Sequence, residues 1–194
     1  MREARKREAR MKQRLSELSA GGISVRIGIS ACLLGQRVRY DGDHKRHDWL
    51  TDELGPQVTW VPVCPEVEVG MGVPREPIVL IDDGRLLGVE TGRDSTAAMQ
   101  EYAAERVARL HDENLSGYVF KSKSPSCGIA SVKVYTGASE TEPVATNGRG
   151  LFAAALMARY PDLPVAEERD LDDPARRSAF VEQVVNYRKQ GRNS

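Results

Sequence analysis

Three cysteines are the residues of this 194-residue chain with the clearest capacity for chemistry, and each follows a short apolar run. Cys32 comes shortly after VRIGIS, Cys64 directly after VTWVPV, and Cys127 six residues after the end of GYVFK. Short runs rich in β-branched residues are typical of buried strands. Because ligands of parallel sheets bind outside the carboxyl ends of the strands, we expect these three thiols, distant in sequence, to meet at one sheet edge.

The loops that carry the thiols are rich in glycine, proline and serine. Pro65 follows Cys64 directly and favours an extended conformation for it, and Gly128 follows Cys127 and permits tight backbone packing. The thiolate is the form of cysteine that binds metals. The alternative is three unrelated buried thiols, because free cysteine is among the most buried residue types.

Two kinds of metal centre are compatible with three separate thiolates. Structural zinc sites usually contain CxxC pairs, which this chain lacks, and a fourth zinc ligand would have to come from His44 or His47. A [4Fe–4S] cluster normally takes four thiolates, so three of them leave one iron open. An open iron is a Lewis acid that can bind substrate or water, and its softness favours a substrate that contains sulfur.

The composition excludes several other classes of protein. Lys+Arg and Asp+Glu both number 28, so the net charge is zero, which argues against a broad basic surface for nucleic acid. No stretch approaches the roughly 18 apolar residues that span a membrane, and the N-terminus lacks the apolar core of a signal peptide. An odd number of cysteines argues against a disulfide framework. We expect a cytoplasmic protein without a membrane partner, and nothing in the composition predicts an oligomeric state.

Strands that alternate with helices favour a single three-layer α/β domain over residues 23–194, built on a mostly parallel sheet. Asp83-Gly84 predicts a hairpin turn. Apolar residues repeat at helical spacing after Asp94, and they predict a long amphipathic helix. Residues 1–22 are highly charged, and they predict a helical extension with little to bury. A docking arm for a partner or for nucleic acid is the other interpretation of this extension.

Three segments of the chain resemble the signature segments of the thiouracil desulfurase (TudS-like) family. They are SACLLGQRVRYDG, PVCPEVEVGMGVPREPI and KSKSPSCG, and NGRGLFAAALM resembles the family's segment before its last core helix. The resemblance extends over residues 23–160. It implies a single α/β domain with a [4Fe–4S] cluster on Cys32, Cys64 and Cys127. It also implies hydrolytic removal of sulfur from thiolated uracil, which gives uracil and hydrogen sulfide.

The resemblance further implies an acidic residue near the cluster. Glu66 and Glu68 are the candidates, because they lie two and four residues after Cys64. In an extended segment both would point to the same side as that cysteine. A carboxylate there could activate water or move a proton on the pyrimidine. The alternative is a pair of surface carboxylates, or a salt bridge to Arg75.

A serine near the cluster is also implied. Ser124 and Ser126 flank Pro125 in the cysteine loop, and Ser30 precedes Cys32 by two residues. A hydroxyl group there could orient the water molecule or carry a proton.

The leading hypothesis is therefore an iron–sulfur desulfidase for 2-thiouracil or 4-thiouracil type substrates. A related cluster enzyme acting on another thiolated nucleoside or sulfur compound is the first alternative. A zinc- or cluster-binding module without catalysis is the second. The expected partner is a small thiolated pyrimidine.

Overall fold

A computed structural model of the protein describes residues 2–191. Within this range the strands, in chain order, are β1 (Arg26–Ser30), β2 (Thr59–Val63), β3 (Ile78–Ile81), β4 (Leu86–Gly88), β5 (Leu115–Phe120), β6 (Val132–Tyr135), β7 (Ala145–Gly148) and β8 (Val165–Glu167). The α-helices are α1 (Arg2–Ala20), α2 (Pro65–Glu68), α3 (Thr96–Arg109), α4 (Leu151–Arg159) and α5 (Pro174–Gln190). Helices and strands are therefore interleaved along the chain.

The central sheet is four-stranded, with the order β2–β1–β5–β8 among the described residues. All three of its strand pairs are parallel, and Ser30 at the end of β1 is paired with Val63 at the end of β2. Because every pair is parallel, the carboxyl ends of all four strands form one edge, which is where the cysteine loops begin. Gly28 in β1 permits close packing of β1 on β5, since a Cβ atom there would lie 2.2 Å from the Tyr118 ring.

Helices cover both faces of this sheet. Ile27, Ile29 and Val119 point to the face covered by α1 and α5, and they belong to one buried apolar cluster. Tyr118 and Phe120 point to the opposite face, where they pack with residues of α3 and α4. This alternation is expected for a strand buried on both sides. The three-layer α/β class is confirmed.

A second four-stranded sheet has the order β4–β3–β6–β7. The hairpin predicted at Asp83-Gly84 joins β3 and β4, which pair antiparallel, whereas β3 and β6 pair parallel. The sequence did not indicate a separate sheet, because short runs such as β6 do not show which neighbours they will pair with. The Cys127 loop runs from β5 in the central sheet to β6 in the second one.

The N-terminal extension is helical, as predicted, but the expectation that it has little to bury is wrong. Met11, Leu15 and Leu18 are only 5%, 1% and 3% exposed and join the cluster that contains α5. Arg14 also lies 2.8 Å from Glu182 of α5. These three apolar residues lie four and three positions apart, which aligns them on one side of a helix.

The helices near the site mostly agree with the sequence. The predicted amphipathic helix after Asp94 is α3, and its Met99, Tyr102 and Val107 are buried. The connection between β1 and β2 contains a π-helical turn, Trp49–Leu54. In the part of the chain that the structure describes, no helix combines the length and the apolar character that crossing a membrane requires.

Candidate functional site

A cavity of about 380 Å³ opens at the carboxyl edge of the central sheet. Cys32, Cys64 and Cys127 all line it, so the structure brings together the three thiols that the sequence predicted to meet. The wall also contains charged and aromatic residues from the same loops. Those used below are Arg39, Tyr40, Lys45, Glu66, Arg75 and Lys121, together with the polar residue Ser124.

Short turns that continue the strands position the first two thiols. Cys32 lies in a 3₁₀ turn, Ala31–Leu34, directly after β1, and its carbonyl accepts from the N–H groups of Gly35 and Lys45. Cys64 is the residue that precedes α2, and it has extended backbone angles. Its thiol faces the Val38 carbonyl at 3.7 Å.

The Cys127 loop is fixed from two sides. Leu151 and Ala153, in the first turn of α4, donate their backbone N–H groups to the carbonyls of Pro125 and Ser126. The first N–H groups of a helix have no partner within the helix, so the loop supplies the acceptors they need. Gly150 is required for this contact, because a Cβ atom there would lie 2.3 Å from the Ser126 backbone.

The three thiols influence one another electrostatically. Burial raises the pKa of Cys32 to about 12, the Lys121 ammonium opposes this rise, and Cys64 adds to it. Burial also raises the pKa of Cys64 and that of Cys127, and a hydrogen bond with Ser30 opposes the rise at Cys127. Binding of a metal would therefore have to displace protons from these thiols.

The donor set suits a cluster better than a single ion. In residues 2–191 no group of three His, Cys, Asp or Glu side chains is arranged to hold one metal ion. His44 and His47 are not among the described residues that line the cavity with the thiols: Nε2 of His47 lies 3.3 Å from Asp172, and Nδ1 of His44 accepts from the Arg46 N–H. A cluster binds its thiolates at separate irons, and three cysteines that line one cavity fit that requirement.

Glu66 is the carboxylate in the cavity wall. Its Oε2 accepts from Nε and Nη2 of Arg75, at 3.0 and 2.8 Å. Its Oε1 accepts from the Ser126 hydroxyl at 3.0 Å. The salt bridge to Arg75, considered from the sequence as an alternative to a site role, is thus present within the site itself.

Glu68 lies outside the cavity wall. Its Oε1 accepts from the Cys64 backbone N–H at 3.0 Å, and its Oε2 accepts from the Tyr102 hydroxyl at 2.7 Å. Arg106 is 3.2 Å away. The expectation that both glutamates share one side of an extended segment is wrong, because these residues form α2, whose period separates positions two apart.

The candidate serines also differ in position. The Ser124 hydroxyl lines the cavity and accepts from the N–H groups of Ser126 and Cys127. The Ser126 hydroxyl is fully buried and binds Glu66. The Ser30 hydroxyl accepts from the Lys121 N–H at 2.9 Å, which ties β1 to the end of β5.

Sequence reasoning missed the ion pair between Lys121 and Glu168. Their charged atoms are 2.6 Å apart, and Glu168 also accepts from the N–H and the hydroxyl of Ser122. No sequence signal connects the two residues, because they approach only where the ends of β5 and β8 pair. The pair holds the start of the Cys127 loop against the sheet.

Comparison with known proteins relates this site to one family. The family model described as 2-thiouracil desulfurase matches residues 27–168, a segment that includes the three cysteines, Glu66 and Arg75. The chain belongs to the 2-thiouracil desulfurase family. The match begins in β1 and ends just after β8, so the family segment contains all eight described strands and leaves α1 and α5 outside.

Two relatives of the family show how far the similarity extends. The chain is 33% identical to a solved structure of the [4Fe-4S]-dependent thiouracil desulfidase TudS, which it matches with a TM-score of 0.64 over 78% of this chain and 96% of that one. It is also 31% identical over 156 residues to the uncharacterized protein YbbK of Bacillus subtilis (strain 168), covering 76% of this chain and 98% of YbbK. The family resemblance inferred from the three segments is confirmed.

Proposed function

We propose that the protein is a [4Fe–4S]-dependent desulfidase that hydrolyses the carbon–sulfur bond of thiolated pyrimidines of the 2-thiouracil or 4-thiouracil type. Uracil and hydrogen sulfide are the products. One observation carries the proposal: three thiols line a single cavity together with a carboxylate held by two partners. Similarity to the [4Fe-4S]-dependent thiouracil desulfidase TudS supports it.

Cys32, Cys64 and Cys127 are the residues that would hold the cluster. When bound, it supplies a Lewis-acidic iron that can polarise the C=S bond of the substrate. Three thiolates would add negative charge to the cavity, whose wall contains Arg39, Lys45 and Lys121. Burial raises the pKa of Cys32, and Lys121 and Arg39 oppose that rise, although each also pairs with a carboxylate, Glu168 and Asp41. These cations therefore reduce the cost of deprotonating the thiols.

Glu66 is the proposed general base. Hydrolysis replaces sulfur by the oxygen of water at the same carbon, so no electrons are gained or lost overall. A carboxylate in the wall can take the proton that the attacking water releases, and the departing sulfur carries protons away as hydrogen sulfide. Glu68 has no such role, because its two oxygens bind the Cys64 N–H and the Tyr102 hydroxyl away from the cavity.

Ser124 is the proposed hydroxyl group of the site. Its oxygen accepts two backbone N–H groups, from Ser126 and Cys127, and its own proton is directed to none of the described residues. It can therefore donate to water or to the substrate. Ser126 acts through Glu66 instead, because its hydroxyl is buried against that carboxylate.

The cavity edge supports a planar substrate. The Tyr40 side chain lines the cavity and is 41% exposed, which is unusual for a large ring. The Arg39 guanidinium carbon lies 5.3 Å from its centroid and holds the ring in place. A pyrimidine ring can stack against such a surface in an offset arrangement.

The proposal is tested on protein purified without oxygen. We expect about four irons and four sulfides per chain, and the release of uracil and hydrogen sulfide from 2-thiouracil. In water enriched with oxygen-18, the uracil should gain one heavy oxygen. A protein that binds zinc and no iron contradicts the proposal, and a cluster-loaded protein that leaves every thiolated pyrimidine intact supports the non-catalytic module instead.

A further inference from the structure

Among the described residues that line the cavity, Arg75 makes the most side-chain hydrogen bonds. It lies between α2 and β3, and only 6% of its side chain is exposed. Its Nη1 donates to the carbonyls of Val38 and Gly72, at 3.0 and 2.8 Å, and its Nε and Nη2 donate to Glu66. An arginine has five N–H donors, so nearly all of them are directed at fixed acceptors.

The acceptor sites of Glu66 can be counted in the same way. An ionised carboxylate has about four lone-pair positions, two on each oxygen. Arg75 fills both positions on Oε2, and the Ser126 hydroxyl fills one on Oε1. One position on Oε1 remains, and it belongs to a residue of the cavity wall.

Arg75 also links the carboxylate to the cavity edge and to a cluster ligand. Its backbone N–H donates to the Tyr40 carbonyl at 2.9 Å. The Val38 carbonyl that it binds is the one that faces the Cys64 thiol. When Cys64 is a thiolate, this carbonyl has no proton to accept from it, and Arg75 remains as its donor.

From this geometry we propose that Arg75 is the positioning residue of the reaction: it fixes Glu66 so that one lone pair of Oε1 is presented to the substrate site. The inference rests on the proposed desulfidase function. A planar guanidinium is needed for this task, because its Nε and Nη2 donate together to the single oxygen Oε2 while Nη1 donates to two carbonyls. Lysine has the charge but only a single nitrogen.

The test is a double-mutant cycle on the cluster-loaded enzyme, with 2-thiouracil as substrate. Arg75→Lys should lower kcat about 10-fold and Arg75→Met about 100-fold, while KM and the iron content stay near those of the unmodified enzyme. In a Glu66→Gln background the same changes should have almost no further effect on kcat, because the group they position is already absent. If Arg75→Met fails to fold, the double-mutant cycle can be completed with Arg75→Lys alone.

A purely structural role would give another result. Loss of the Val38 and Gly72 contacts would then lower activity by the same factor with or without Glu66, or would release iron, and either finding overturns the inference. Arg85→Met is the matched control, since Arg85 pairs with Asp83 at 2.8 Å in the exposed β3–β4 turn and does not line the cavity. Its activity should equal that of the unmodified enzyme.

A second readout is independent of turnover. In a crystal structure of Arg75→Lys or Arg75→Met, the Glu66 carboxylate should leave the position in which it binds the Ser126 hydroxyl at 3.0 Å. If the carboxylate stays there, the inference is overturned whatever the activity. Failure of the unmodified enzyme to act on thiolated pyrimidines would overturn the proposed function alone, and this structural comparison would still decide the role of Arg75.

Discussion

Helix α2 carries a glutamate on each of two sides, and the two glutamates have different surroundings in the folded protein. Glu66 on the cavity side binds Arg75 and Ser126. Glu68 on the other side binds the Cys64 N–H and the Tyr102 hydroxyl. Two identical side chains, two residues apart, therefore face the cavity in one case and a helix–helix contact in the other.

One side of this helical turn thus carries the proposed catalytic carboxylate, and the other side stabilises the fold. Glu68 satisfies an N–H at the start of α2 and ties this helix to α3 through Tyr102 and Arg106. The cavity side can therefore keep an unfilled acceptor on Glu66, because the other side already holds the turn in place. Substitutions on each side should separate these two roles.

The largest effect is expected at Cys64, which lies at the junction of both sides. Cys64→Ala should abolish cluster binding and desulfidation, because one of three thiolates is lost. Both glutamates should keep their contacts, since only the backbone of Cys64 binds Glu68. Iron analysis and thermal unfolding of the same sample check this. A variant that still binds four irons would contradict the assignment of the three thiols.

Glu66→Gln should have the next largest effect. We expect kcat for 2-thiouracil to fall about 1000-fold, since the general base is lost, while the amide still accepts from a donor of Arg75 or Ser126. The iron and sulfide content should not change, and the visible absorption spectrum measures that directly. Full activity in this variant would remove Glu66 from the mechanism.

Glu68→Ala should lower the stability of the fold and leave activity nearly unchanged, which is the opposite of Glu66→Gln. Three donors lose their acceptor, so the free energy of unfolding should fall by about 1–3 kcal/mol, as measured by denaturation with urea. Activity per loaded enzyme should stay within about threefold of the original. A large loss of kcat in a stable, iron-loaded protein would mean that both sides of α2 serve the reaction.

The smallest effect is expected for Tyr102→Phe. It removes only the hydroxyl group that Glu68 accepts at 2.7 Å, so the cost should be about 1 kcal/mol of unfolding free energy. Activity should be unchanged. Tested together, Glu68→Ala and Tyr102→Phe should cost less than the sum of the two separate losses, because they share one contact.

The position of the thiols could be predicted from the sequence, whereas it could not be predicted which of the two glutamates lines the cavity. Cys32, Cys64 and Cys127 follow apolar runs, and parallel pairing then brings strand ends to one edge. Glu66 and Glu68 are equivalent in such a pattern. Arg75 and Tyr102 distinguish the two glutamates. Both come from later segments of the chain, and nothing in the sequence around them indicates that they contact α2.

The helices likewise include one that could be predicted from the sequence and one whose packing could not. Helix α3 has a regular apolar stripe, so its existence and its buried side could be predicted. Among the α1 side chains that the structure describes, Met11, Leu15 and Leu18 are the buried ones, within a strongly charged segment whose composition suggested solvent on every side. Whether three apolar residues are enough depends on the surface they meet, which here is provided by α5, about 160 residues later in the chain.

The packing of α1 on α5 has a practical consequence for work with shorter pieces of this protein. A fragment trimmed to residues 27–168, the limits of the family match, would retain Cys32, Cys64, Cys127 and Glu66. It would also uncover Ile27, Ile29 and Val119, which are fully buried in the whole chain. An apolar sheet face opened to water promotes aggregation, so soluble expression should require both terminal helices.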